Sequence, residues 1–220
     1  MNKLLSSMFV LFVTLVTAPI AIGQEIKGDI KNGQGKIAMC IGCHGIRGYQ
    51  ASFPEVYKVP MIAGQGAKYI SNALNAYQKG ERRHPTMRGI AASLTEQDIA
   101  DLAAYYESLG KHDAEPAPGK AEASGKAAEL VAKGACVSCH GESFSKPIDP
   151  AYPKIAGQHA DYLFVALKAY KTDPKATWGR SNAIMGGVTK QFTNAELKEL
   201  ASYVHSLPTE LKTIPQSRFK

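Results

Sequence analysis

The 220-residue chain carries 26 Lys and Arg against 19 Asp and Glu, a formal charge of +7, but its cations are scattered rather than clustered, which argues against a nucleic-acid partner. Its four cysteines stand in two close pairs, and bridges between residues so near in sequence would staple almost nothing in a chain this size. Beyond the N-terminal leader no apolar stretch is long enough to span a bilayer, so a multi-span membrane protein is excluded as well.

The leader comes first. Residues 1–23 carry one charge at Lys3, run apolar from Leu4 to Val16 and end on the small residues Ala21 and Gly23, the pattern of a secretory signal peptide cleaved near Gly23. The uncharged run from Leu4 to Ile22 approaches the length of a retained anchor, which leaves membrane association open. Either way the folded part leaves the cytoplasm. The remaining 197 residues suit two domains rather than one.

Those domains are a repeat. Val59–Tyr77 (VPMIAGQGAKYISNALNAY) recurs as Tyr152–Tyr170 (YPKIAGQHADYLFVALKAY) at an offset of 93, and CIGCH at 40–44 recurs as CVSCH at 136–140 at an offset of 96. Leu94–Leu109 (LTEQDIADLAAYYESL) matches Phe192–Leu207 (FTNAELKELASYVHSL) at 98. The slipping offsets put insertions in loops.

In chain order, the first domain spans 24–111. It places CIGCH early, a helical period over Tyr69–Tyr77, then Met87, and a last helix capped by Thr95 with Ile99, Leu102, Ala103 and Tyr106 on one face. Residues 112–125, rich in Ala, Pro, Gly and charge, read as a linker. The second domain, 126–209, repeats the order, with Thr193 as cap and Leu197, Leu200, Ala201 and Val204 as the apolar face. The tail from Glu210 to Lys220 is short and polar enough to lie on the surface. No run alternates as a strand, so the fold class is all-α: two tandem helical domains, and a monomer.

Each CxxCH could hold a redox dithiol, a zinc ion or a covalent haem. A dithiol enzyme needs one reactive pair, normally on a mixed α/β fold, and no histidine after each second cysteine. A zinc ion shared between both pairs would join two halves that look complete by themselves. The haem reading uses every residue. Cys40 and Cys43, like Cys136 and Cys139, are spaced to add to two vinyl groups of one porphyrin, and His44 and His140 then fall under the iron. Two covalently attached haem c groups are therefore expected.

A sixth ligand decides between electron transfer and an open, reactive iron. Met87 and Met185 correspond between the repeats, stand 43 and 45 residues beyond His44 and His140, and precede the last helix of each domain. Paired His/Met ligation is the expectation, for an electron carrier and not an enzyme. Pro60 and Pro153 open matched P-x-I-A-G stretches whose carbonyl could orient the proximal imidazole. Arg82 and Arg180, each five residues before its methionine, could pair with a haem propionate. His84, His112, His159 and His205 lack histidine counterparts in the other repeat and read as surface residues.

With CIGCHG, PMIAGQ, Met87 and LTEQDIADLAAYY repeated as CVSCHG, PKIAGQ, Met185 and a final helix, residues 24–209 resemble the cytochrome c4 family of dihaem class I c-type cytochromes. The duplicated IAGQ is its most specific mark. The resemblance implies two similar helical domains with haem edges facing across their interface. It also implies a periplasmic shuttle carrying electrons from a quinol-oxidising complex toward a terminal oxidase. One departure is the approach to Met185, KTDPKATWGRSNAIM, five residues longer than its counterpart. That loop keeps alive a different class: a dihaem peroxidase, or the dihaem subunit of a dehydrogenase.

Overall fold

Helices at matched positions close both domains, and both begin on the same device. The Thr95 hydroxyl accepts from the Asp98 N–H while the Asp98 carboxylate takes the Thr95 N–H, and Thr193 and Glu196 do likewise, so each helix starts on a reciprocal capping box. The computed structural model describes residues 26–110, 123 and 125–215. The leader at 1–23 and His112 lie outside the described residues, as does the linker except Ala123 and Gly125.

The first domain runs α1 (Ile30–Gly35), α2 (Ala38–His44), β1 (Gln50–Ala51), β2 (Tyr57–Lys58), α3 (Ala67–Gln78), β3 (Arg82–Arg83), α4 (Pro85–Ala92) and α5 (Glu96–Ser108). The second runs α6 (Gly125–Lys133), α7 (Val137–His140), α8 (Ala160–Ala169), β4 (Gly179–Arg180), α9 (Ala183–Thr189) and α10 (Asn194–His205). Helices dominate, as expected. The two-residue antiparallel ladders β1–β2 and β3–β4 are too short to register as alternation in a sequence.

In the first domain α5 packs on α1 and α3, with Ile99, Leu102, Ala103 and Tyr106 buried. The α1–α5 crossing is close enough to require glycine: a Cβ at Gly33 would stand 2.1 Å from the Asp101 carbonyl oxygen. In the second domain α10 packs on α8 and α6, and Leu197, Leu200, Ala201 and Val204 point into a core shared with Leu130, Phe144 and Phe192.

The halves are joined by more than the linker. Strand β3 of the first pairs with β4 of the second, Arg82 opposite Arg180. The long approach to Met185 folds onto the first domain, where Arg83 donates to the Trp178 carbonyl, the Ser181 hydroxyl and the Asp173 carbonyl. Lys58 on β2 donates through its backbone N–H to Asp161 at the start of α8. Gln65 and Gln158, the last residues of the two IAGQ motifs, are buried and each bonds the backbone of the opposite domain.

The tail departs from its surface expectation. Leu211 is buried, the Lys212 N–H donates to the Ala63 carbonyl at 3.0 Å, Glu210 pairs with Lys154 at 2.7 Å, and Ile214 packs on the core of the first domain. Gly64 makes room for this strap: it has φ +86°, and a Cβ there would lie 2.7 Å from the Glu210 carbonyl oxygen. Only two apolar residues, Leu211 and Ile214, separated by Lys212 and Thr213, mark the segment in one dimension, too few to show a period.

Candidate haem sites

Each CxxCH motif ends a short helix with its histidine in the last turn. His44 closes α2, with Nδ1 2.8 Å from the Pro60 carbonyl oxygen; His140 closes α7, with Nδ1 3.2 Å from that of Pro153. A carbonyl can only accept, so Nδ1 carries the proton in both rings and Nε2 keeps its lone pair. Burial pushes both imidazoles below the ordinary histidine pKa, against the opposing pull of those carbonyls. Neutral rings with Nε2 unprotonated are the form that ligates a metal.

The four cysteines are free and half-buried. Burial pushes the Cys40 and Cys136 thiols up, the opposite of what a dithiol enzyme needs. Among the described residues no group of three or more His, Cys, Asp or Glu is placed to share an ion, so the two pairs do not form one zinc site.

Met87 and Met185 occupy the same place in their domains, the third residue of a short helix, and both are half-buried. The helix caps do the same job with different residues. The Met87 N–H donates to Nδ1 of His84, and the Met185 N–H to Oδ1 of Asn182. With Nδ1 accepting, His84 holds its proton on Nε2 and donates to the Tyr57 hydroxyl at 3.0 Å. His84 is thus a structural cap and not the surface residue its sequence suggested. The matched cap was hidden because the sequences share no residue type there. His205 stays exposed, as its sequence suggested, while its Nδ1 donates to the Gln158 carbonyl at 2.9 Å.

Arg82 and Arg180 meet at the domain interface. Arg82 donates to the Tyr69 hydroxyl and lies over the rings of Tyr69 and Tyr77; Arg180 donates to those of Tyr162 and Tyr170 and lies over both rings. The matched tyrosines stack and donate nothing that neutralises a cation. Both guanidiniums, with Arg83, His84 and Trp178, line one interdomain cavity whose lining holds no carboxylate. Two cations drawn together in a partly closed space need anions, and a haem supplies two carboxylates. A second, apolar cleft beside His44 is lined by Ile41, Ile62, Tyr105 and Tyr106, and the Tyr106 hydroxyl is buried there with no partner among the described residues. Thiol pairs, neutral imidazoles, thioethers, apolar walls and unneutralised arginines together suit a haem in each half.

The sequence profile of the cytochrome c family matches the chain twice, over residues 30–110 and 124–208. The chain is 32% identical to cytochrome c4 of Pseudomonas aeruginosa over 213 residues, 94% of this chain and all of that one. It is also 32% identical to the thiosulfate dehydrogenase electron acceptor of Stutzerimonas stutzeri, over 84% of this chain and 86% of that protein. The crystal structure of reduced cytochrome c4 from Pseudomonas stutzeri superposes with a TM-score of 0.58 at 28% identity, covering 82% of this chain and 99% of that one. Two domains with this site in each, and relatives matched along their length, place the chain in the cytochrome c family as a member of the cytochrome c4 group, an electron carrier with two covalently bound haem c groups.

Proposed function

We propose that the chain is a monomeric, periplasmic two-centre shuttle that takes single electrons from a quinol-oxidising complex and delivers them toward a terminal oxidase. Cys40 and Cys43 would hold one haem through their sulfurs, with His44 and Met87 as ligands to its iron; Cys136, Cys139, His140 and Met185 would do the same for the other. When bound, the haem supplies a one-electron iron couple whose potential a thioether ligand raises. The chain does the rest: Pro60 and Pro153 orient the imidazoles, the capped helices hold the methionines in place, and Arg82 and Arg180 neutralise propionates at the interface.

The observation that carries this reading is the repetition of one geometry, a buried histidine on a proline carbonyl and a methionine on the third residue of a capped helix, in both halves. A site built for substrate would leave one half different. The similarity to a thiosulfate dehydrogenase electron acceptor suggests a second donor, an enzyme that oxidises thiosulfate and hands the electrons to this carrier. Peripheral contact with the membrane face is compatible with either route.

The test is the haem-to-protein ratio and reduced spectrum of exported, matured protein, with Met87 and Met185 substituted separately. Two covalent low-spin haems, each losing its methionine signature in the matching variant only, are expected. A haem already high-spin in the unaltered protein, or ready binding of carbon monoxide to it, would overturn the carrier reading in favour of a peroxidase-type iron.

A further inference from the structure

The two IAGQ glutamines form a reciprocal clamp. Gln158 accepts the Met61 N–H on Oε1 at 3.0 Å and donates from Nε2 to the Met61 carbonyl at 2.9 Å. Gln65 does the same to Lys154, at 2.9 Å in both directions. The two side chains are 3% and 4% exposed, so neither competes with water. Each oxygen also accepts the N–H of the residue that follows it, Gly66 or His159, which fixes the amide's orientation.

What the glutamines grip gives them a role beyond glue. The Met61 N–H belongs to the same planar peptide group as the Pro60 carbonyl, and that carbonyl accepts the His44 Nδ1–H. The Lys154 N–H likewise shares its peptide group with the Pro153 carbonyl, which accepts from His140. An unbroken chain therefore runs from the imidazole of one domain, across one peptide, to the side-chain amide of the other. Hydrogen bonds in series polarise one another: an N–H drawn toward Gln158 leaves the Pro60 oxygen more electron-rich and a stronger acceptor. A stronger acceptor gives the imidazole more anionic character, which favours ferric iron.

We infer that each domain tunes and orients the other domain's proximal histidine, Gln158 acting on His44 and Gln65 on His140. The inference rests on the reading of those histidines as iron ligands. Both glutamines are positioning residues, since neither touches the imidazole itself. It follows that each potential depends on the interface being closed.

The test uses the full-length holoprotein, with the midpoint of each haem from a redox titration and the His44 and His140 Nδ1–H resonances from NMR of the reduced, diamagnetic form. Gln158→Leu should raise the His44 haem's midpoint by about threefold in its equilibrium constant, about 30 mV at 59 mV per tenfold for one electron, and move the His44 Nδ1–H resonance upfield. The His140 centre should stay where it was. Gln65→Leu should give the mirror image. Equal shifts in both haems, a shift in the variant's own domain, or no shift would each overturn the inference. Should Gln158→Leu fail to fold, Gln158→Glu keeps the length and an acceptor oxygen. At neutral pH it should move the His44 resonance downfield and lower that haem's midpoint more than the other's, and an unmoved His44 centre would overturn the inference. Failure of the ligand reading shows elsewhere, as loss of two histidine-ligated low-spin signals in the unaltered protein.

Discussion

The two domains share a site and differ in what holds it. In the first, α1 is tied to α5 by a buried carboxylate: Asp101, 1% exposed, accepts from the Asp29 N–H, the Gln97 amide and the Lys36 ammonium at 2.7–2.8 Å. In the second, the matching residue Glu199 is exposed, and the equivalent helices meet through an apolar cluster built on Leu130, Phe144, Phe192 and Leu197. The first domain's core cluster is the smaller, with Tyr106 where the second has Val204, while Tyr105 is matched by Tyr203. Duplication has kept the histidine, its carbonyl and the methionine helix in register while the scaffold drifted. The shared geometry of histidine, carbonyl and methionine helix therefore depends on the backbone path and not on one mode of core packing.

Substitutions should separate the two modes. The largest effect is expected from Leu197→Ala, which opens a hole at a fully buried position and should cost about 3–4 kcal/mol, confined to the second domain. Asp101→Ala should cost about 2 kcal/mol in the first, because it leaves the Asp29 N–H and the Gln97 amide without their acceptor and takes one of the two carboxylates that hold Lys36, whereas Glu199→Ala should change stability by less than about 0.5 kcal/mol. Hydrogen exchange resolved by domain would assign each loss. Equal losses in both domains for either variant would mean that the halves unfold as one unit and that the comparison has no thermodynamic content.

The same carboxylate gives the comparison a pH axis. Burial pushes Asp101 up, but Lys36, the Asp29 N–H and the Gln97 amide outweigh it and hold the group below the usual carboxylate range. A depressed pKa contributes stability that is complete above the unfolded value, about 4, and is lost as pH falls through the lower folded value. Both capping boxes lower their acidic residue, Asp98 chiefly through Lys36 and Glu196 chiefly through Thr193, so both domains weaken somewhat in acid. The first should weaken more below about pH 4, and Asp101→Asn should reduce that excess, leaving the part that Asp98 contributes. An acid profile unchanged by this substitution would rule out Asp101 as its source.

The sequence displayed what depends on neighbours along the chain and hid what depends on stacking. The helix caps at Thr95 and Thr193, and the apolar faces behind them, are local patterns and lie where periodicity put them. Pro60 and Pro153 were singled out for a carbonyl, and each carbonyl lies on its histidine. Asp101 sits at a polar position of an amphipathic helix, and nothing local says that α1 will cover it. The Arg82–Arg180 ladder and the glutamine clamp could not be read either, since both exist only once one repeat is laid on the other. The repeated IAGQ was visible, and its glutamine was the one residue in it with no reason to be kept for packing.

The smallest effect tests the deepest asymmetry, that the second domain's tail completes the first. Ile214 is half-buried and packs on the first domain's core beside the cleft of His44, while the Lys212 N–H anchors the strap to Ala63. Losing about half of a buried aliphatic side chain should cost about 1 kcal/mol. Ile214→Ala should therefore destabilise the first domain by about that amount, although the residue lies past the end of the second. Because Ile214 lines the cleft next to the imidazole, the same change should also raise solvent exchange of the His44 Nδ1–H and leave that of His140 alone. If the loss fell on the second domain instead, the strap would be a brace for α10, and the first domain would be complete without it.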